Sequence, residues 1–192
     1  MSESARLLMN VFAAACGVAL TYSAVSHTVN PAKFATAMRS HQIVPPRLQR
    51  PVIFTVPVVE FVTGIALLCN VAWNRPPVWP FFLSSGVLGS FVVYALLAER
   101  GSQGEDCGCG GRQFLEPLSA WTVVRAAVLL LASLGAGFIG LDTGDIAGSS
   151  GDLRLYSVLA GVGLGLLVWL LPAALAPMSS LTRLSLDAEG GR

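Results

Sequence analysis

Charge is what this chain has least of. Only 12% of its 192 residues are Asp, Glu, Lys or Arg, about half the share of a soluble domain. Twelve basic residues against eleven acidic ones leave a net charge of +1, so composition gives no reason to expect nucleic acid. Cysteine is also scarce. Of the four, Cys16 and Cys69 lie inside apolar runs, which excludes the disulfide scaffold of a small secreted domain. A secretory leader is not expected either. Met1 to Arg6 sets one Arg against one Glu, and the apolar run that follows is about 23 residues long, more than a leader's core. Phe12-Ala13-Ala14-Ala15-Cys16 resembles a lipoprotein cleavage site only loosely, because the expected Leu is missing. The first run is expected to be an uncleaved span.

What is present is apolar: 54% hydrophobic residues and a mean hydropathy of +0.67. These residues gather in runs of roughly 20, the length that crosses a bilayer's hydrocarbon core. The expected fold is all-α, a polytopic membrane helical bundle with four core transmembrane helices and a fifth C-terminal span. One domain is expected over 1–178, followed by a polar, disordered tail over 179–192.

Span 1 is expected at about Leu7 to Val29. Small residues recur in it at fours, Ala13, Gly17 and Thr21 on one face and Ala15, Ala19 and Ser23 on another, a pattern that lets membrane helices approach closely. Cys16 is read as a small packing residue. Asn30-Pro31 breaks the helix. A basic segment follows, with Lys33, Arg39, His41, Arg47 and Arg50. Phe34, Ala37, Met38 and His41 fall at helical spacing there, predicting a short amphipathic helix at the interface, ended by Pro45-Pro46.

Span 2 is expected at about Pro51 to Trp73, and Cys69 is read as packing. Pro57 loosens the span locally. Glu60 lies inside it, and an intramembrane carboxylate is a functional-site candidate by default. The plainer alternative is a structural carboxyl, protonated or paired within the bundle. Asn74-Arg75-Pro76-Pro77 is a tight turn. Span 3 runs from about Trp79 to Ala98, with Ser85, Gly86, Gly89 and Ser90 as its small face. Span 4 runs from about Trp121 to Leu141, with Arg125 one turn inside and Ala132, Ala136 and Gly140 at fours. Span 5 runs from about Leu155 to Ala174 and contains Gly161-x-x-x-Gly165.

Between spans 3 and 4 lies Gly101-Ser102-Gln103-Gly104-Glu105-Asp106-Cys107-Gly108-Cys109-Gly110-Gly111-Arg112. A disulfide across one residue closes a strained ring, and strained, exposed disulfides are the labile, exchanging kind. Gly108 best tolerates the backbone that such a ring needs. Arg112 and Arg125 favour the reactive thiolate, whereas Glu105 and Asp106 oppose it. A redox-active dithiol/disulfide is the leading reading. Five spans put His27, His41 and Arg125 at the same surface as this loop, so a soft-metal site from Cys107, Cys109, His27 and His41 is an alternative, although no recognised linear spacing joins them. Two loop cysteines without a role are the third.

Counting Lys and Arg, the side of the cysteine loop holds eight and the other side three. The positive-inside rule therefore puts the loop in the cytoplasm. No second cysteine pair lies on that side, so a redox role needs a partner protein or direct exchange with a membrane quinone.

Two segments carry a family resemblance: Pro57, Glu60 and Gly64 as Pro-x-x-Glu-x-x-x-Gly, and Cys107-Gly108-Cys109-Gly110-Gly111 as Cys-Gly-Cys-x-Gly. Over roughly residues 7 to 141, and over span 5 as well, the chain resembles the methylamine utilisation protein MauE family, which is related to the DoxX-like membrane proteins. It departs from the usual loop in having Gly110 where an aromatic often precedes the second glycine. The resemblance implies a multi-pass protein of the bacterial cytoplasmic membrane that acts with a thioredoxin-like partner. The family is associated with maturation of a disulfide-rich periplasmic dehydrogenase subunit, and many relatives occur where no such enzyme is made. That role would set the cysteine loop outside the cytoplasm, against the charge count.

The resulting expectation is a thiol–disulfide redox protein. Cys107 and Cys109 exchange with a partner's cysteine, and Glu60 and Arg125 form an intramembrane ion pair or gate proton release. The alternatives are a non-catalytic subunit of a larger membrane complex and a metal-handling membrane protein.

Overall fold

Each apolar run folds as a helix because a backbone in hydrocarbon must satisfy its polar groups internally. The computed structural model describes residues 3–72, 77–101, 120–142 and 155–168. They form α1 (Glu3–Val29), α2 (Pro31–His41), α3 (Pro46–Ala72), α4 (Trp79–Gly101) and α5 (Ala120–Asp142). A shorter apolar helix, α6 (Leu155–Val168), follows. No strand occurs among the described residues. Four segments of 20 to 26 residues, Ser4–Val29, Pro46–Val71, Trp79–Ala98 and Thr122–Leu141, are long and apolar enough to cross a membrane. At 1.5 Å per residue they span about 30 to 39 Å. The remainder of the expected fifth span, 169–174, and the tail lie outside the described residues.

The four spans pack side by side. Cys16 of α1 donates to the Leu129 carbonyl of α5 at 3.5 Å, and Ser133 of α5 donates to the Phe81 carbonyl of α4 at 2.9 Å. Gly17 and Gly64 mark the α1–α3 crossing, where a Cβ built on Gly64 would lie 2.9 Å from the Gly17 carbonyl oxygen. Gly161 and Gly165 seat α6 on α1 beside Val11, Ala14 and Ala15. The core between these helices holds Phe81, Leu67, Leu88, Leu129 and Cys16. At one end, Asn70 ties α3 to the start of α4 by donating to the Pro77 carbonyl at 3.0 Å.

Prolines punctuate the chain differently from the expectation. Pro31 starts α2, the position where a missing N–H costs nothing. Pro46 starts α3, which then runs through Pro51 and Pro57, so the second span begins five residues before Pro51. The end of α2 is set by Gln42 in the left-handed conformation, φ 52°, ahead of Pro45.

The face of α2 predicted from spacing is the buried one: Ala37, Met38 and His41 are buried, and Phe34 stacks on His27 with ring centroids 4.0 Å apart. It packs on α1 and α3. Several placements differ from expectation. Cys69 is exposed on α3, and Gly86 of α4 meets nothing within 4 Å; small residues of α4 that do pack include Ser84, Ser85, Ala95 and Ala98. His27, His41 and Arg125 are buried, because α2 folds back over the end of α1 and the spans close around them.

Candidate functional site

The polar centre of the bundle is built from α1 and α3. Ser23 and His27 are one turn apart and share a face of α1. The close glycine crossing brings Glu60, one turn from Gly64, against them. Ser23 Oγ donates to Glu60 Oε1 at 3.1 Å and lies 3.3 Å from His27 Nε2. His27 Nε2 and Glu60 Oε2 are 3.8 Å apart. The three residues are 8%, 4% and 7% exposed.

Hydrogen-bond bookkeeping orders this cluster. A hydroxyl has one proton. With Ser23 donating to the carboxylate, its contact with His27 requires Nε2–H as the donor, which leaves Nδ1 as an acceptor. Among the described residues, His27 Nδ1 and Glu60 Oε2 have no hydrogen-bond partner. Buried polar atoms are seldom left so. The cluster therefore keeps bonding capacity for a ligand or a proton, and Ser23 links the carboxyl to the imidazole.

Arg125 enters from α5. It lines, together with Ser23 and Glu60, a cavity of about 40 Å³, room for one or two waters. His27 lies within ion-pairing distance of Glu60. A larger cavity of about 330 Å³ opens on the other side of Glu60 and His27, between α2, α3 and α4. His41 belongs to a separate contact, with Nδ1 2.6 Å from the Tyr94 hydroxyl of α4.

Glu60, Arg125, His27 and His41 each stand out in the sequence for a different reason. The structure brings the first three around one buried centre and gives His41 to Tyr94. Cys107, Cys109 and Arg112 lie outside the described residues. The share of Ser23 was missed. Its signal was the four-residue spacing to His27, but that face read equally well as small-residue packing. No group of three or more His, Cys, Asp or Glu that could hold a metal occurs among the described residues.

These features define a multi-pass α-helical membrane protein with a carboxylate–histidine cluster sealed between its spans. Its family is shown by the profile of methylamine utilisation protein MauE, which matches residues 5–139, and the chain belongs to that family. The match covers α2 through α4 entire, with most of α1 and α5, and stops before α6. No curated protein and no solved structure matches the chain.

Proposed function

We propose that the protein is a thiol–disulfide redox protein of the bacterial cytoplasmic membrane, exchanging through Cys107 and Cys109 with a thioredoxin-like partner. In the oxidative direction, the Cys107–Cys109 disulfide accepts two electrons and two protons from the partner's dithiol. The partner leaves as a disulfide, and Cys107 and Cys109 are left as thiols. A two-electron acceptor from the membrane, of the quinone class, restores the disulfide. Maturation of other disulfide-bearing proteins is the role this chemistry serves.

One observation supports this reading above the others. The helix order runs α4 toward, and α5 away from, the end of the bundle where α1 ends and α2 sits. The segment 102–119 that joins them carries Cys107 and Cys109, and the buried Ser23–His27–Glu60 cluster and Arg125 occupy that same half. Glu60 and His27 can then take up or release the protons that thiol oxidation exchanges, and Arg125 supplies positive charge near the start of α5.

The test is a single-cysteine trap. Purified Cys109→Ser protein with Cys107 reduced, mixed with the disulfide form of a thioredoxin-like protein, should form a mixed disulfide as Cys107 attacks one partner sulfur and the other leaves as a thiolate; alkylating that thiol holds the adduct, and reductant releases it. If a Cys107→Ser/Cys109→Ser protein still supports exchange at the normal rate, the chain acts instead as a non-catalytic subunit of a larger complex.

A further inference from the structure

The cavity of about 330 Å³ beside Glu60 and His27 is within the size range of small-molecule sites, about 300–1,000 Å³. Its walls are mostly apolar, and three of them are rings: Phe34, Phe91 and Tyr94. Its rim includes Thr55 and Val59 of α3 and Ser90 of α4, all exposed on the outer surface of the spans. Those positions face hydrocarbon in a bilayer, so the way in is lateral, from the lipid. At the inner wall are Glu60 and His27, each more than nine-tenths buried and each with a polar atom that lacks a partner among the described residues.

These four properties select a class of ligand. A lateral entrance admits molecules dissolved in the membrane. Aromatic walls suit a flat ring, which stacks offset or edge-on. An imidazole acceptor and a carboxyl group suit a ring that bears oxygens and gains or loses protons there. An acyl chain would use the walls but leave both buried polar groups unsatisfied, at a cost.

We infer that the cleft between α3 and α4 is a binding site for a lipid-soluble quinone and its quinol, with the Glu60 carboxyl donating its proton to a ring oxygen of the quinone and His27 Nδ1 accepting from a hydroxyl of the quinol. The inference deepens the redox reading and rests on it for the use of the site. Reduction of the quinone by the Cys107/Cys109 dithiol transfers two electrons and two protons, giving quinol and disulfide. Glu60 is positioned to pass a proton to a ring oxygen, and His27 Nδ1 to accept from the quinol hydroxyl so formed.

The test uses the full chain in phosphatidylcholine nanodiscs, titrated with a fully substituted, short-tailed benzoquinone that cannot add thiols. Binding is followed by quenching of intrinsic fluorescence against empty nanodiscs. Saturable binding is expected for the wild type. Val59→Phe, which narrows the rim without touching the buried cluster, and Glu60→Leu should each weaken it at least tenfold, with helix content retained by circular dichroism. The Cys107→Ser/Cys109→Ser protein should bind as tightly as wild type, so the site can stand even if the cysteine reading fails. Absence of saturable wild-type binding, or affinity unchanged in both Val59→Phe and Glu60→Leu, would overturn the proposal. Displacement by oleic acid at equal concentration would overturn it too, assigning the cleft to acyl chains.

Discussion

Gly64 of α3 sits directly against Thr21 of α1: a Cβ built on Gly64 would lie 2.5 Å from Thr21 Oγ1 and 2.9 Å from its backbone nitrogen. Thr21 is held there by its own bond to the Gly17 carbonyl at 2.7 Å. The hydroxyl cannot yield without breaking that bond, and the backbone cannot yield without parting the helices. This contact sets the distance at which Glu60 meets Ser23.

Gly64→Val should therefore destabilise the bundle by about 1–3 kcal/mol, the usual cost of overpacking. Thermal unfolding in detergent measures it. Gly86→Ala, at a glycine with open space around it, should change the midpoint little. Equal midpoints for the two variants would remove the crossing from the account.

Glu60→Gln keeps an acceptor for Ser23 but cannot carry the proton. It should fold and unfold like the wild type and slow thiol exchange at least tenfold. Ser23→Ala removes the hydroxyl between Glu60 and His27 and should cost stability as well, about 1–3 kcal/mol for a stranded buried group. Full exchange activity in a well-expressed Glu60→Gln protein would confine Glu60 to a structural role.

Tyr94→Phe deletes the 2.6 Å contact that pins His41, and with it the end of α2, to α4. The expected loss is about 0.5–1.5 kcal/mol. Limited proteolysis near residues 42–45 should speed up, since α2 is then held by fewer contacts.

The four cysteines should separate by chemistry. In a Cys16→Ser/Cys69→Ser background, a membrane-impermeant maleimide added to intact cells should label Cys107 and Cys109 only after reductant. That result identifies an extracytoplasmic disulfide, the side that the family resemblance implies. Labelling only after lysis would put the pair in the cytoplasm, as the count of eight basic residues against three indicates. Cys16, buried and bonded to the Leu129 carbonyl, should stay unlabelled in the folded wild type.

The four long spans and their helical type were legible in the sequence, because the bilayer imposes one hydrogen-bonding solution and a minimum length on any segment that crosses it. The buried face of α2 was legible for a related reason: helical spacing records which side faces the protein. Glu60 was legible because a carboxylate in hydrocarbon is costly wherever it sits. Its partners were not. Ser23 and His27 are 37 and 33 residues away in the chain, and no local pattern states which face of α1 meets α3, or at what height. Gly17 and Gly64 decide that, through an approach only possible where both helices lack a side chain. Tertiary structure likewise decided that His27 and Arg125 are interior groups, that Glu60 faces His27 across an ion-pairing distance, and that a laterally open cavity adjoins them. Each depends on how surfaces distant in sequence meet, which the period of a single helix does not encode.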